Sequence, residues 1–139
     1  MPELLRNAHY VVTVDPVAQL ARVTRSALPA ESPAQFEERW MEVSRALDRT
    51  GRTGLSLLVD LRDAAGRNDP EFEAAMQRLK PIVMRGFRRV AILVRTTVGA
   101  LQIHRHLRED GVERMIGSDE AQLLDYLSGA PRRAPPRRR

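Results

Sequence analysis

Apolar and polar positions recur with different periods along this chain, and each change of period marks an element. Residues 9–15, "HYVVTVD", are rich in β-branched and aromatic side chains and predict a strand. Asp15-Pro16 opens a turn, and "LARVTRSA" at 20–27 predicts a second strand. The connection is short enough for an antiparallel hairpin. From Ser32 the period lengthens, and Phe36, Trp40, Val43 and Leu47 fall on one helical face. Ser32 is placed to cap that helix, Pro33 suits its first position, Gln35 completes a capping-box spacing and Gly51 can end it.

The unbroken apolar run "LSLLVDL" at 55–61 predicts a strand covered on both faces. A second helix opens after Asp69-Pro70, with Phe72, Ala75, Met76 and Leu79 facing inward, and Pro81 predicts a kink or end. "RVAILVR" at 89–95 is a second buried strand. "TTVGALQIHRHLREDG" then reads as a helix capped by Thr97 and stopped near Gly111. "VERMI" at 112–116 is a short strand, and "SDEAQLLDYLSG" is a last helix with Ser118 as its cap. The order ββαβαβαβα predicts one α/β domain. Its sheet is mixed, with an N-terminal antiparallel hairpin and parallel later strands joined by right-handed crossovers, and helices pack on it.

Composition narrows the class. With 139 residues, 42% hydrophobic and 29% charged, the chain can bury one core and reads as a soluble domain spanning 1–129. No apolar stretch approaches the roughly 20 residues that cross a bilayer. The opening residues lack the pattern of a secretory signal, so the expected compartment is the cytoplasm. There are no cysteines, which removes disulfides and thiolate metal sites. The net charge of +5 comes from the last eight residues, "RRAPPRRR". Without Arg132, Arg133, Arg137, Arg138 and Arg139 the 23 basic residues fall to 18, equal to the 18 acids. Residues 130–139 therefore predict a disordered Pro/Arg-rich basic tail, with weak contact to nucleic acid or an anionic membrane confined to it.

Ligands of open α/β sheets gather beyond the carboxyl ends of parallel strands. The richest such loop is 60–69, with Asp60, Arg62, Asp63, Arg67, Asn68 and Asp69. A phosphoacceptor role for Asp60 would need further acids for Mg²⁺ and a lysine for the acyl phosphate. The sole lysine, Lys80, sits in the following helix. The simpler expectation is that Asp60 ends a strand, Asp69 caps a helix, and Arg62 and Arg67 pair with nearby acids in solvent. Thr96 and Thr97 at a helix start offer a possible anion site, without any glycine-rich phosphate cradle. His104 and His106, two apart on one helix, diverge by roughly 200° and cannot share a metal. No catalytic residue, metal site or cofactor is predicted.

The element order together with "LSLLVDLRDAAG", "FRRVAILV" and "ERMIGSDEAQLLDYL" resembles a STAS domain of the SpoIIAA-like branch, which shades into SEC14-type lipid-binding proteins. The resemblance covers roughly residues 8–129. It implies a non-enzymatic signalling or scaffold module. In anti-sigma-factor antagonists of that family a serine or threonine after the third strand is phosphorylated by a kinase-type anti-sigma factor. The added charge, nearly two negative units, breaks a docked interface. The corresponding "DLRDAAGRNDPEFE" holds no serine, threonine or tyrosine. The resemblance thus implies a protein partner bound through Asp60, Arg62, Asp63, Arg67, Asn68, Asp69 and Phe72. It leaves open homodimerisation, a permanently charged mimic made by Asp60, Asp63 and Asp69, and a small-ligand carrier.

Overall fold

Tyr10, Val12 and Val14 alternate with half-exposed neighbours, so one side of their strand enters the core and the other does not. A computed structural model of the chain describes residues 2–64, 70–95 and 114–129. Its strands are β1 (Glu3–Arg6), β2 (Tyr10–Asp15), β3 (Leu20–Arg25), β4 (Ser56–Asp60), β5 (Val90–Leu93) and β6 (Met115–Gly117). The described helices are α1 (Pro33–Thr50), α2 (Pro70–Met84) and α3 (Glu120–Leu127). The sheet runs β1-β2-β3-β4-β5-β6, antiparallel from β1 to β3 and parallel from β3 to β6. This is the expected mixed sheet of one α/β domain, with one strand more than the pattern announced.

The extra strand is β1. Its Glu-Leu-Leu-Arg has two adjacent leucines and no alternation, so it carries no strand period. A bulge between Glu3 and Leu5 resolves the conflict, because an inserted residue lets both leucines lean on the core. Glu3 and Arg6 pair across the exposed edge.

Helices α1 and α2 cover one face. Phe36, Trp40, Val43 and Leu47 of α1 meet Tyr10, Val12, Val23, Leu57, Val59 and Ile92 of the sheet and Phe72, Ala75, Leu79 and Val83 of α2. Helix α3 covers part of the opposite face, where Leu123 and Leu127 pack on Leu58, Ala91 and Leu93. Fully burying each such side chain contributes about 1.5–3 kcal/mol. Both faces of β4 and β5 are therefore apolar, as their unbroken hydrophobic runs predict.

The caps repay inspection. Ser32 Oγ accepts from Gln35 N at 3.1 Å, while Gln35 Oε1 reaches back to Glu31 N at 2.8 Å rather than to Ser32. Gly51 ends α1 at φ 80°, a conformation that favours glycine. Of the kink or end expected at Pro81, the end is not there: α2 continues to Met84. Arg52 Nη1 donates to the carbonyls of Ile82 (3.0 Å), Val83 (2.8 Å) and Arg85 (3.1 Å), satisfying the groups a helix end leaves open. The cap of α3 is Asp119, whose carboxylate accepts from Gln122 N, and not Ser118. The sheet reaches Gly117, so Ser118 is still in the turn and the helix starts one residue later. The helix expected over 96–111, with Thr97, His104 and His106, lies outside the described residues, as do Asp69 and the segment 130–139.

Candidate functional site

Register aligns the ends of the parallel strands: Thr24 lies opposite Asp60, Asp60 opposite Leu93, and Leu93 opposite Gly117. Pairing continues a little further, with Leu61 N donating to Leu93 O (2.8 Å) and Val94 N to Gly117 O (2.9 Å). Alternation along β4 sends Leu57 and Val59 toward α1 and α2. Leu58 faces α3, and Asp60, two residues on, shares its side.

Asp60 is thus a buried carboxylate, 4% exposed, and its charge is answered on both oxygens. Oδ1 accepts from Arg62 N (3.1 Å) and Arg62 Nε (3.0 Å). Oδ2 accepts from Arg62 Nη2 (2.8 Å) and from Arg22 Nη2 (2.9 Å) on β3. Arg22 Nη1 also donates to Glu120 Oε2 at 3.0 Å, and Arg62 Nη2 lies 3.2 Å from Glu120 Oε1. Two guanidiniums and two carboxylates from β3, β4, the strand exit and the first turn of α3 form one closed cluster with no net charge. Burial pushes the Asp60 carboxyl up, but the Arg62 side chain, the Arg62 backbone N–H and Arg22 outweigh it and hold it below 3.8. Glu120 is held below 4.5 mainly by its hydrogen bond from Arg22.

Asp63 and Arg95 pair at 3.1 Å with most of each side chain in solvent, bridging the exits of β4 and β5. Such exposed pairs contribute about 0–1 kcal/mol. They shape a charged rim more than they hold the fold.

The expected site residues are distributed as follows. Asp60 and Arg62 are brought together, and Asp63 stands beside them at the surface. Asp60 does not act as a free negative charge, because Arg22 and Arg62 neutralise it, and Asp63 is paired with Arg95. The pairing expected in solvent is, for Arg62, made to a buried carboxylate. Phe72 does not belong to an exposed surface: it is 7% exposed and packs edge-on against Phe36, centroids 5.7 Å apart. It anchors the first turn of α2. Arg67, Asn68, Asp69, Thr96 and Thr97 lie outside the described residues. Among the described residues no group of three or more His, Asp or Glu side chains is arranged to hold a metal, and no helix is long and apolar enough to cross a membrane.

Sequence reasoning did not bring Arg22, Arg95 or Glu120 to this site. The one local signal for Arg22 was its phase in "LARVTR", which puts it on the face opposite Ala21 and Val23.

No protein-family model and no curated protein sequence matches the chain. Among solved structures, an uncharacterised protein of the DUF3478 family from Shewanella loihica PV-4, itself of SpoIIAA-like fold, superposes with a TM-score of 0.63. The match covers 88% of this chain and 98% of that one at 15% sequence identity. That level of identity speaks for the fold. With its mixed six-stranded sheet and helices on both faces, this chain is a single α/β domain of SpoIIAA-like fold.

Proposed function

We propose that this chain is a cytoplasmic, non-enzymatic docking module that binds a partner protein through the exit of β4 and the connection into α2, without a hydroxyl switch. The observation that supports it most is the neutral cluster of Arg22, Asp60, Arg62 and Glu120. Among the described residues it pairs these four charges with one another and leaves Asp63 and Arg95 as an exposed pair beside them. A nucleophilic or metal-binding carboxylate needs a free oxygen, and both oxygens of Asp60 are taken. An edge braced by these ion pairs, with an exposed charge pair beside them, suits protein recognition, where rim charges steer association and register.

Affinity capture from native lysate tests the reading. Asp63→Arg, which places two like charges beside each other at the rim, is expected to lose the captured partner. Val17→Ser, an exposed change at the tip of the β2–β3 hairpin and at the opposite end of the sheet, is expected to retain it. Equal recovery from the wild type and Asp63→Arg would overturn this surface. Sedimentation of the purified chain decides separately whether the partner is a second copy.

A small-ligand carrier is the second reading, favoured by two neighbouring buried donors without partners, Tyr10 Oη and Trp40 Nε1. Tyr10 and Trp40 are in ring contact at 5.1 Å, and the Arg25 guanidinium lies over Tyr10 at 5.2 Å. Hydroxyl, indole N–H and guanidinium all donate, so the group that satisfies them is an acceptor such as a carboxylate or a water. Native mass spectrometry separates the two: a co-purifying organic acid supports the carrier, and the bare chain mass opposes it.

A further inference from the structure

Alternation along β3 puts Ala21, Val23 and Arg25 on the side of the sheet that α1 covers, so a charge holds the last core-facing position of the strand. Arg25 is only 7% exposed. Register sets it opposite Tyr10, its guanidinium lies 5.2 Å over the Tyr10 ring, and Trp40 of α1 touches the same ring. A guanidinium taken out of water calls for a counter-charge. Among the described residues none is paired with it. Its hydrogen bonds there are two, from Nη1 to Ser26 O (3.0 Å) and Leu28 O (2.7 Å). The Tyr10 hydroxyl cannot balance the charge, because burial pushes its pKa up and keeps it neutral. Glu42, on α1, is taken by Asn7 Nδ2 (2.8 Å) and Arg39 Nη1 (2.8 Å). Glu31, further along the loop that follows β3, is exposed.

The Nε and Nη2 groups of Arg25 have no acceptor among the described residues, and solvent reaches them, unlike the sealed Tyr10 Oη and Trp40 Nε1. Together they form the edge with which Arg62 grips Asp60, through Nε at 3.0 Å and Nη2 at 2.8 Å. Beside this edge Ala27, Leu28 and Pro29 are exposed, Leu28 at 48%. Their backbone is pinned. Besides the two bonds from Arg25, Ser26 N donates to His9 O (2.8 Å) and Leu28 N to Ser26 Oγ (3.3 Å). Ser26 Oγ donates to Ala8 O (2.8 Å), and His9 Nε2 lies 3.3 Å from Pro29 O. A preformed apolar loop loses little conformational freedom on contact. It leaves β3 at the carboxyl end of the sheet, where Thr24 lies opposite Asp60 at the exit of β4.

We propose that Arg25 and the loop 27–29 extend the docking surface, and that the partner protein offers them an acidic side chain flanked by apolar residues. The partner's carboxylate takes the Nε–Nη2 edge of Arg25, and its apolar neighbour covers Leu28. One unanswered cation matches the single charge of a carboxylate better than the nearly two charges of a phosphate. The inference rests on the docking reading and names the chemistry of the partner.

The test is an NMR titration of the full chain with two probes, acetyl-leucyl-glutamyl-leucinamide and acetyl-leucyl-glutaminyl-leucinamide, which differ only in the charge. The glutamyl peptide is expected to move the Arg25 Nε–H and Leu28 N–H signals. The glutaminyl peptide is expected to bind at least about tenfold more weakly, the change that one charged hydrogen bond carries. Leu28→Ser, an exposed change, is expected to weaken the glutamyl peptide about fivefold. Arg25→Gln, which keeps donors for the loop carbonyls, is expected to bind both peptides alike. Equal affinity of the wild type for the two peptides, or no binding of the glutamyl one, would overturn the proposal. So would binding that leaves the Arg25 and Leu28 signals unmoved. If Asp63→Arg loses the captured partner while the wild type does not distinguish the peptides, the docking reading stands and this inference falls alone.

Discussion

Asp60 ends the strand expected to hold it, yet its partners could not be read from the stretch around it. Arg62 is two residues away, but Arg22 lies 38 positions earlier and Glu120 60 positions later, and register alone brings them together. Because the carboxyl is buried and bound on both oxygens, Asp60→Asn leaves guanidinium donors short of an acceptor and is expected to cost ~1–3 kcal/mol in urea unfolding. Asp63→Asn, in its exposed pair, is expected to cost under about 1 kcal/mol. The sign of the pH dependence follows from the depressed folded pKa values. The cluster's contribution is present above the ordinary values of 3.8 for Asp60 and 4.5 for Glu120, and is lost as pH falls through the lower folded values. The gap between wild type and Asp60→Asn is therefore expected to close progressively in acid below 3.8. A gap that widened there would contradict the assignment of charge.

At the scale of elements, helices with strong caps were legible and contacts between helices were not. Ser32, Pro33, Phe36, Trp40 and Gly51 mark α1 because each acts within a few residues of itself. Where α2 ends was not legible at Pro81, because the side chain that finishes the helix comes from elsewhere. Arg52 follows α1 and spends its guanidinium on α2 carbonyls while Nη2 also donates to Ser44 O (3.1 Å) and Ser44 Oγ (2.8 Å). Phe87 lies 5.4 Å from its charge centre. A lysine has one short-range ammonium and cannot span these acceptors. Arg52→Lys is accordingly expected to destabilise nearly as much as Arg52→Ala, by about 2–4 kcal/mol, measured by chemical unfolding. Full rescue by lysine would show that charge and not the planar fork joins α1 to α2. Strand β1 escaped notice for the opposite reason: its bulge removes the alternation that identifies a strand. Phe72, placed by its period on the inward stripe of α2 and by the resemblance in a docking surface, is core.

For the whole molecule, periodicity was enough to give a mixed sheet with an antiparallel start and parallel continuation, because burial on one or both faces is written in each strand. Net charge was a poorer guide, since Arg22, Asp60, Arg62 and Glu120 cancel one another only once folding brings them together. The place proposed for the docking surface follows from topology, and the pairs beside it are long-range ones that no local motif announces. Hydrogen–deuterium exchange of the chain alone and in complex with its captured partner tests the central claim most directly. Added protection is predicted at residues 61–64 and 93–95, around Asp63 and Arg95. Protection confined to α1, β1 or the amino end of the sheet, with those segments unchanged, would contradict it.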